Sequence, residues 1–403
     1  MEKDYGLFTW GDNWQIEGDK TWFVSGMYNI LFRMDLRTKE CELAVCIPEE
    51  APSKFRLTPY CLKCENSIFC MPDNGAAIWI YDIKKNNFSK ITLNNPNKVR
   101  LKVYDFWKYE NKLFAVSNGL GQIIEIDIIK KKIEKYHILC DEGKIEKSIK
   151  AGTKIYSLSS VSNEVYQFDL DTKKIMTYKI PNIGRKFSTF CFDGEKFWLS
   201  GYRKEIYVWD MEKNTVKTIG GFPGEFGIYN FAKDTEGEVD CIAEEYEQPV
   251  FLNVVAVDRN IWFLPYQANK IIYMDKENNK LHVFEVDDEN ETKQSLLERT
   301  SLWSKYILEY IREDRYIGLF SVKNNCILEI DALQKKSESK KYVLGNQCMQ
   351  QITQMYAGSI LYEDRFSKEV FKTALLNRSG EEKNKISMNT NTGLRIYEEM
   401  LKL

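Results

Sequence analysis

The stretch KFWLSGYRKEIYVWDMEKNTVKTI, residues 196–219, decides the fold, because it contains two apolar strands joined by a polar loop, then a turn and a third strand. Residues 197–199 and 206–209 are apolar at successive positions, which is typical of strands buried on both faces of a sheet. Asp210 follows the second strand, where its carboxylate can accept hydrogen bonds from the backbone N–H groups of a turn that runs to Asn214. The stretch therefore predicts part of an antiparallel sheet.

The strand pair recurs along the chain at 22–36, 68–83, 113–128, 155–170, 261–275 and 316–331, and more weakly at 360–376. Seven of the eight copies end in a turn aspartate: Asp35, Asp82, Asp127, Asp169, Asp210, Asp275 and Asp331. These are separated by 47, 45, 42, 41, 65 and 56 residues, which is typical of four-stranded propeller blades. A tight-turn dipeptide precedes each pair, and an apolar or aromatic stretch that would form the innermost strand precedes each of these turns.

We therefore predict an all-β fold, a β-propeller of four-stranded antiparallel blades with eight blades favoured and seven as the alternative. The eighth copy is the weakest, since Asn377 stands where the others have the aspartate. A single propeller domain is expected over residues 1–388, with insertions at 220–250 and 287–305 that break the period. Residues 389–403 are expected to form a short C-terminal helix, with Thr392 as its cap.

The composition excludes several classes of protein. The 57 lysines and arginines nearly balance the 59 aspartates and glutamates, so no global basic field draws the chain to nucleic acid or to an anionic membrane. The N-terminus has no signal-peptide pattern, and no apolar run approaches a membrane span. We expect a cytoplasmic protein whose ten cysteines are reduced and form no disulfide.

Several stretches resemble blades of the bacterial propellers around virginiamycin B lyase and of the NHL-type propellers, among them IWFLPYQANKIIYMDKENNKLHVFEV and IYSLSSVSNEVYQFDLDTKKIMTY. The resemblance spans nearly the whole chain and concerns the fold, which hosts lyases, lactonases, sensors and scaffolds alike. A likeness to the lyase implies a magnesium ion held by histidines and a glutamate. The chain has only His137 and His282, both in predicted fourth strands, so the lyase activity is not carried over.

Two other groups of residues have some features of metal sites. Cys61 and Cys64 form a CxxC pair within a cluster of five cysteines, a spacing found in zinc sites, but burial in strands explains them better. The acidic run at 234–247 lacks the regular alternation of a calcium loop. We predict no metal and no cofactor.

Chain direction predicts the working face. With the inner strand first, the loops between second and third strands and the connections between blades emerge on one face, here called the top. We predict that the binding residues lie there: Asp73, Asn118, Ser160, Tyr202, Arg203, Tyr266, Gln267 and Arg365, with Met27 and Ser321 at the equivalent positions of two further blades. Both insertions are expected to rise from the same face.

Two functions fit these features. The first is a non-catalytic propeller that binds a protein or a small carbohydrate or peptide ligand, with tyrosines outside the strand pattern as the contact residues. The alternative is a carbohydrate- or peptide-active enzyme, a lyase or hydrolase, whose paired carboxylates come from loops distant in sequence.

Overall fold

A computed structural model describes residues 5–6 (backbone only), 13–25, 29–48, 57–95, 99–140, 144–181, 186–228, 249–266, 268–278, 280–286, 306–321, 326–345 and 348. The chain divides into two compact units, which are described separately. Unit 1 comprises residues 1–100, 323–327 and 339–403, and unit 2 comprises residues 101–322 and 328–338. Among the described residues no helix has the length and apolarity that crossing a bilayer requires.

The first two sheets belong to unit 1. Their strands are β1 (Tyr5–Gly6), β2 (Gln15–Glu17), β3 (Lys20–Ser25), β4 (Ile30–Asp35), β5 (Glu40–Cys46), β6 (Tyr60–Cys64), β7 (Ser67–Met71), β8 (Ala77–Asp82) and β9 (Asn87–Thr92). Sheet 2 is the simple antiparallel order β6-β7-β8-β9.

Five further sheets follow, and most of their residues belong to unit 2. Sheet 3 contains β10 (Asp105–Tyr109), β11 (Lys112–Ser117), β12 (Gln122–Asp127) and β13 (Lys132–Ile138), and sheet 4 contains β14 (Ile145–Ala151), β15 (Lys154–Ser159), β16 (Glu164–Asp169) and β17 (Ile175–Lys179). Sheet 5 contains β18 (Phe187–Phe192), β19 (Phe197–Gly201), β20 (Ile206–Asp210) and β21 (Thr215–Ile219), and sheet 6 contains β22 (Phe251–Val257), β23 (Asn260–Pro265), β24 (Ile271–Asp275) and β25 (Lys280–Phe284). Sheet 7 contains β26 (Tyr306–Arg312), β27 (Tyr316–Ser321), β28 (Cys326–Asp331) and β29 (Lys336–Lys340), and β30 (Val343–Leu344) follows it.

Sheet 1 differs from the others in having six strands, in the order β1-β30-β5-β4-β3-β2. Its inner strand is β2, so the N-terminal part of the chain completes this sheet from the inside. On the outer edge, β30 pairs in parallel with β5, and β1 pairs with β30. The edge that an outer strand would otherwise expose is therefore covered in this sheet.

The predicted all-β fold with four-stranded antiparallel units is confirmed, and the seven predicted pairs that lie within the described residues form the second and third strands of their sheets. Six of the seven described sheets have four strands, and sheet 1 adds β30 and β1 to such a unit. The eighth predicted copy at 360–376, the predicted C-terminal helix and the insertion at 287–305 fall outside the described residues, so the number of blades beyond these seven stays a prediction, as does the single domain over residues 1–388.

The turn between third and fourth strands repeats one structure. The carboxylate of the turn aspartate accepts backbone N–H groups two or three residues ahead, as in Asp331, which accepts from Leu333 at 3.1 Å and Gln334 at 3.0 Å. The residue four positions after the aspartate adopts a positive φ of 49–63° wherever it is described: Lys39, Asn86, Lys131, Lys173, Asn214 and Lys335. The predicted role of the aspartates in starting these turns is thus confirmed.

Apolar and aromatic side chains fill the spaces between successive sheets of unit 2. One cluster between sheets 4 and 5 contains Tyr156, Phe197 and Trp209, and another between sheets 6 and 7 contains Trp262 and Tyr306. Trp209 and Trp262 are fully buried. Rings of this size bury the largest apolar area per residue, so these clusters stabilise the packing of one sheet on the next.

The described cysteines are free thiols. Cys61 and Cys64 lie in β6, where side chains three residues apart point to opposite faces of the sheet. Both are buried, Cys61 with its thiol 3.8 Å from the carbonyl oxygen of Trp22. Their CxxC spacing therefore does not bring the two sulfurs together.

Candidate functional site

In four sheets the loop between the second and third strands is hydrogen-bonded to the connection that leads into the first strand. The bonds are Asp73 N–H to the Leu57 carbonyl at 2.8 Å, Asn118 to Lys102 at 3.2 Å, Ser160 to Lys144 at 2.9 Å and Tyr266 to Val250 at 3.0 Å. We call this end of a sheet the connection end, and the end with the turns after the first and third strands the hairpin end. Within these sheets the loops and connections emerge together, as chain direction predicts.

In unit 1, Asp73 is fully buried at the connection end of sheet 2. Its carboxylate accepts a hydrogen bond from Arg100 Nε at 2.6 Å and a second from the same guanidinium, which is the bidentate geometry of a strong ion pair. Asp73 therefore anchors the chain segment that leaves sheet 2.

Asn118 lies at the connection end of sheet 3 in unit 2 and is 2% exposed. Its side-chain Nδ2 donates to the backbone carbonyl oxygen of Glu146 at 3.1 Å, and its backbone carbonyl oxygen accepts from the Ile145 N–H at 3.4 Å. Its Oδ1 is buried and has no hydrogen-bond partner among the described residues. Asn118 thus joins sheets 3 and 4 and retains one unused acceptor.

Glu146 is a site residue that the sequence pattern does not reveal. It is the extra residue of a β-bulge in β14, where the register shifts between Ile145 and Lys147. Bulges change the direction of a side chain relative to the regular strand. Burial raises the pKa of the Glu146 carboxyl, against the opposing effect of the Lys102 and Lys147 ammonium groups.

A second carboxylate lies beside Lys147. Asp105, the first residue of β10, accepts a hydrogen bond from Lys147 Nζ at 2.9 Å and from the Ser148 N–H at 2.7 Å. Both Asp105 and Ser148 are buried. We call Lys102, Asp105, Asn118, Glu146 and Lys147 the Asn118–Glu146 cluster.

The tyrosines predicted to bind lie in sheets 5 and 6. Tyr202 and Arg203 are half-buried in the loop between β19 and β20. Tyr266 is half-buried directly after β23, and burial raises the pKa of its hydroxyl to about 12. A tyrosine held between core and solvent offers a ring face and a hydroxyl group for contact.

The first part of the predicted insertion, residues 220–228, packs at the connection end of sheet 6. Gly227 N–H donates to Asn269 Oδ1 at 2.8 Å, and Asn269 Nδ2 donates to the Glu225 carbonyl at 2.9 Å. Phe226 stacks between Phe222 and Phe251, with ring centroids 5.0 and 5.7 Å apart. This part of the insertion is therefore fixed to the loop that begins with Tyr266, and the placement of the whole insertion on the top face stays a prediction.

The remaining predicted residues divide into two groups. Ser160 is half-buried in the loop after β15, and Ser321 is buried at the end of β27. Met27, Gln267 and Arg365 lie outside the described residues. The assignment of all these residues to a binding site stays a prediction.

The two histidines occupy fourth strands, as predicted. His137 in β13 contacts Glu125 through Nε2 at 2.8 Å and packs 4.7 Å from the Phe168 ring, while His282 in β25 stacks on Tyr273 at 5.2 Å. His137 and His282 belong to different sheets and are engaged in packing, so they do not fit the magnesium site that a likeness to the lyase implies. Among the described residues no group of three histidine, cysteine, aspartate or glutamate side chains is placed to hold a metal ion.

No protein-family model matches the chain. No curated protein matches it in sequence. Solved structures do resemble it. A streptogramin B lyase is 14% identical with a TM-score of 0.52, over 81% of this chain and 95% of that one. A catalytically inactive variant of virginiamycin B lyase from Staphylococcus aureus, with quinupristin, is 12% identical with a TM-score of 0.53, over 79% and 94%.

The computationally designed Ika8 protein is 8% identical with a TM-score of 0.53, over 85% of this chain and 93% of that one. At these identities the likenesses show the fold alone. The chain has a β-propeller fold with four-stranded antiparallel blades. Its fold-level resemblance to the lyase propellers, predicted from the blade sequences, is confirmed.

Proposed function

We propose that this propeller is a non-catalytic binding protein that takes a protein or a small carbohydrate or peptide ligand at the connection end of its sheets. The observation that carries the proposal is the extra chain fixed beside Tyr266, where residues 220–228 bond to the loop of sheet 6. A repeat fold needs no such addition for its own packing, and loops on a rigid scaffold are where proteins place binding residues.

Tyr202, Arg203 and Tyr266 are the proposed contact residues. They are half-buried loop residues of neighbouring sheets in unit 2, and tyrosine and arginine supply most of the binding energy at many interfaces. The proposed partner is neither nucleic acid nor membrane, since acidic and basic residues nearly balance.

The test combines a panel of probes with two triple variants. Disaccharides and tripeptides would be screened by ligand-observed NMR against the wild type, the variant Tyr202→Ala, Arg203→Ala, Tyr266→Ala, and a hairpin-end control, Lys84→Ala, Ile129→Ala, Glu212→Ala, whose three side chains are exposed. We expect that at least one probe binds the wild type and the control with the same affinity and binds the first variant at least tenfold more weakly. The melting temperature of the first variant should equal that of the wild type. Equal binding by both variants would contradict the proposal.

The Asn118–Glu146 cluster favours one alternative, a carbohydrate- or peptide-active enzyme. Glu146 and Asp105 both interact with the charge of Lys147 but lie in different environments. Burial raises the pKa of Glu146, and Asp105 is paired with the lysine. Two carboxyl groups in unlike surroundings are the usual acid and base of glycoside cleavage. Turnover of a probe that Glu146→Gln abolishes, with binding retained, would establish the enzyme instead.

A further inference from the structure

Lys102 has a backbone conformation that a lysine adopts only at a cost. Its φ is 50°, and among the described residues it is the only charged residue with positive φ outside the hairpin-end turns. A lysine there is less stable than glycine by about 1 kcal/mol. In the hairpin-end turns a positive φ is explained by the repeated turn itself. Lys102 lies in a connection, where no repeated turn requires this conformation.

Three further irregularities lie at the same place. The bulge in β14 redirects Glu146, the Glu146 carboxyl is half-buried, and Asn118 Oδ1 is a buried acceptor without a donor in the described part of the chain. Asn118 Nδ2 is bonded to the Glu146 carbonyl, which fixes the orientation of the amide. A buried acceptor in this position requires a small donor such as a hydroxyl group or a water molecule.

The charges of the cluster are balanced. The cluster contains two ammonium groups, Lys102 and Lys147, and two carboxyl groups, Asp105 and Glu146. Lys147 and Asp105 form an ion pair at 2.9 Å, so their charges neutralise each other. An anionic ligand would be repelled by the Glu146 carboxylate and could not donate a hydrogen bond to Asn118 Oδ1. A cationic ligand would be repelled by the Lys102 ammonium group. The groups left over, one amide acceptor, one carboxyl and one ammonium, suit a ligand that both donates and accepts hydrogen bonds without carrying charge.

We infer that the Asn118–Glu146 cluster binds the hydroxyl groups of a neutral saccharide. The inference rests on the proposed binding function and names its ligand class. Glu146 and Lys102 contact the sugar hydroxyls, and Asn118 positions Glu146 through the bulge carbonyl while its Oδ1 takes one hydroxyl or a bridging water.

Maltose, cellobiose, xylobiose and chitobiose are suitable probes for isothermal titration and saturation-transfer NMR. Glu146→Leu removes the hydrogen-bonding group and is expected to weaken binding at least tenfold, while Glu146→Gln keeps the shape and is expected to retain binding within about threefold. Glu212→Leu, on an exposed hairpin-end glutamate of sheet 5, is the matched control and should bind as the wild type does.

Lys102→Gly separates function from folding. Glycine relieves the backbone strain, so the melting temperature should stay the same or rise, while saccharide binding falls about tenfold. A merely structural lysine would show no loss of binding, and that result would overturn the role of Lys102.

The outcomes also separate this inference from the proposed function. One outcome is a tripeptide that binds the wild type and Glu146→Leu equally and fails to bind the Tyr202, Arg203 and Tyr266 triple variant. In that case the saccharide ligand class is wrong and the proposed binding function is retained. If a disaccharide binds equally to wild type, Glu146→Leu and Lys102→Gly, the assignment to the Asn118–Glu146 cluster is overturned. If no probe of either class binds, the saccharide inference is overturned together with the binding function at the proposed residues.

Discussion

The two ends of the sheets are built on different principles. At the hairpin end the same turn recurs, with an aspartate that accepts backbone N–H groups and, four residues later, a residue with positive φ. At the connection end each described loop is different: Asp73 binds Arg100, Asn118 bridges to sheet 4, and the loop of sheet 6 receives part of an insertion.

This difference separates what the repeat needs from what the individual protein needs. A turn that satisfies its own backbone groups can be copied in every sheet, because its function is only to return the chain. Loops that differ from sheet to sheet are not required by the repeat. The bulge itself recurs at the second residue of β14, β18 and β22, so what differs there is the side chain that it carries. We therefore expect specific function at the connection end.

The largest expected effect concerns how tightly the connection end is packed. Gly201 ends β19, and a Cβ at this position would lie 2.1 Å from the Lys186 carbonyl oxygen and 3.1 Å from Phe187 Cα. Since both neighbours are backbone atoms, Gly201→Ala should lower the free energy of unfolding by about 3 kcal/mol or more. Chemical denaturation followed by tryptophan fluorescence measures the change.

Gly220→Ala is the control, because a Cβ there meets no atom within 4 Å. It should be nearly neutral. If Gly201→Ala were equally mild, the connection end would not be tightly packed where β19 ends.

The hairpin end could be predicted from the sequence because its signals are local. Asp210 and Asn214 stand four residues apart in one turn, and the same spacing from the turn aspartate recurs in other sheets. Strand pairs were recognised for the same reason, since alternation and turn chemistry involve residues close in sequence.

The candidate site was predicted only in part. Chain direction predicted that the loops with Asn118, Ser160 and Tyr266 emerge at the same end as the connections. The backbone hydrogen bonds of these loops to the connections agree with that, and they were not themselves predicted. Chain direction gave no indication of Glu146, whose position depends on a bulge, or of Lys102, whose strain depends on a loop of sheet 3. Nor did it indicate that Asp73 pairs with Arg100, because that contact joins residues 27 positions apart. Such features arise from tertiary contacts that no local pattern encodes.

The next prediction tests the hairpin end through pH. The hydrogen bond from Arg315 lowers the pKa of Asp331 from 3.8 to about 2, and the hydrogen bond from Lys20 does the same for Asp35. A folded-state pKa below the unfolded value means that the stabilisation is present above about pH 4 and is lost as the pH falls towards 2. Urea midpoints measured between pH 7 and pH 2 should therefore fall most steeply below pH 4.

Asp331→Asn isolates the ion pair, because the amide oxygen can still accept the Leu333 and Gln334 N–H groups while the charge is gone. We expect a loss of about 0.5–1 kcal/mol at pH 7, since the pair is partly exposed, and a shallower decline below pH 4 than in the wild type. A decline as steep as that of the wild type would mean that Asp331 is not among the groups that set the acid limit.

The smallest expected effect sharpens the distinction between an unused polar group at the connection end and one inside a sheet. Gln167 in β16 is 1% exposed, shares its face of the strand with Val165, and has neither amide atom hydrogen-bonded among the described residues. Unlike Asn118, it lies between sheets 4 and 5, away from any loop, so its unused capacity serves no ligand. Leucine has a similar volume and no polar atoms, so Gln167→Leu should raise the free energy of unfolding by roughly 0.5 kcal/mol or less and leave saccharide binding unchanged. Gln334→Leu, on an exposed turn residue, is the control and should change neither quantity. A loss of stability in Gln167→Leu would indicate an internal water molecule bound to the amide. The Gln167 amide and Asn118 Oδ1 would then both have a small hydrogen-bonding partner, and the distinction drawn between them would be contradicted.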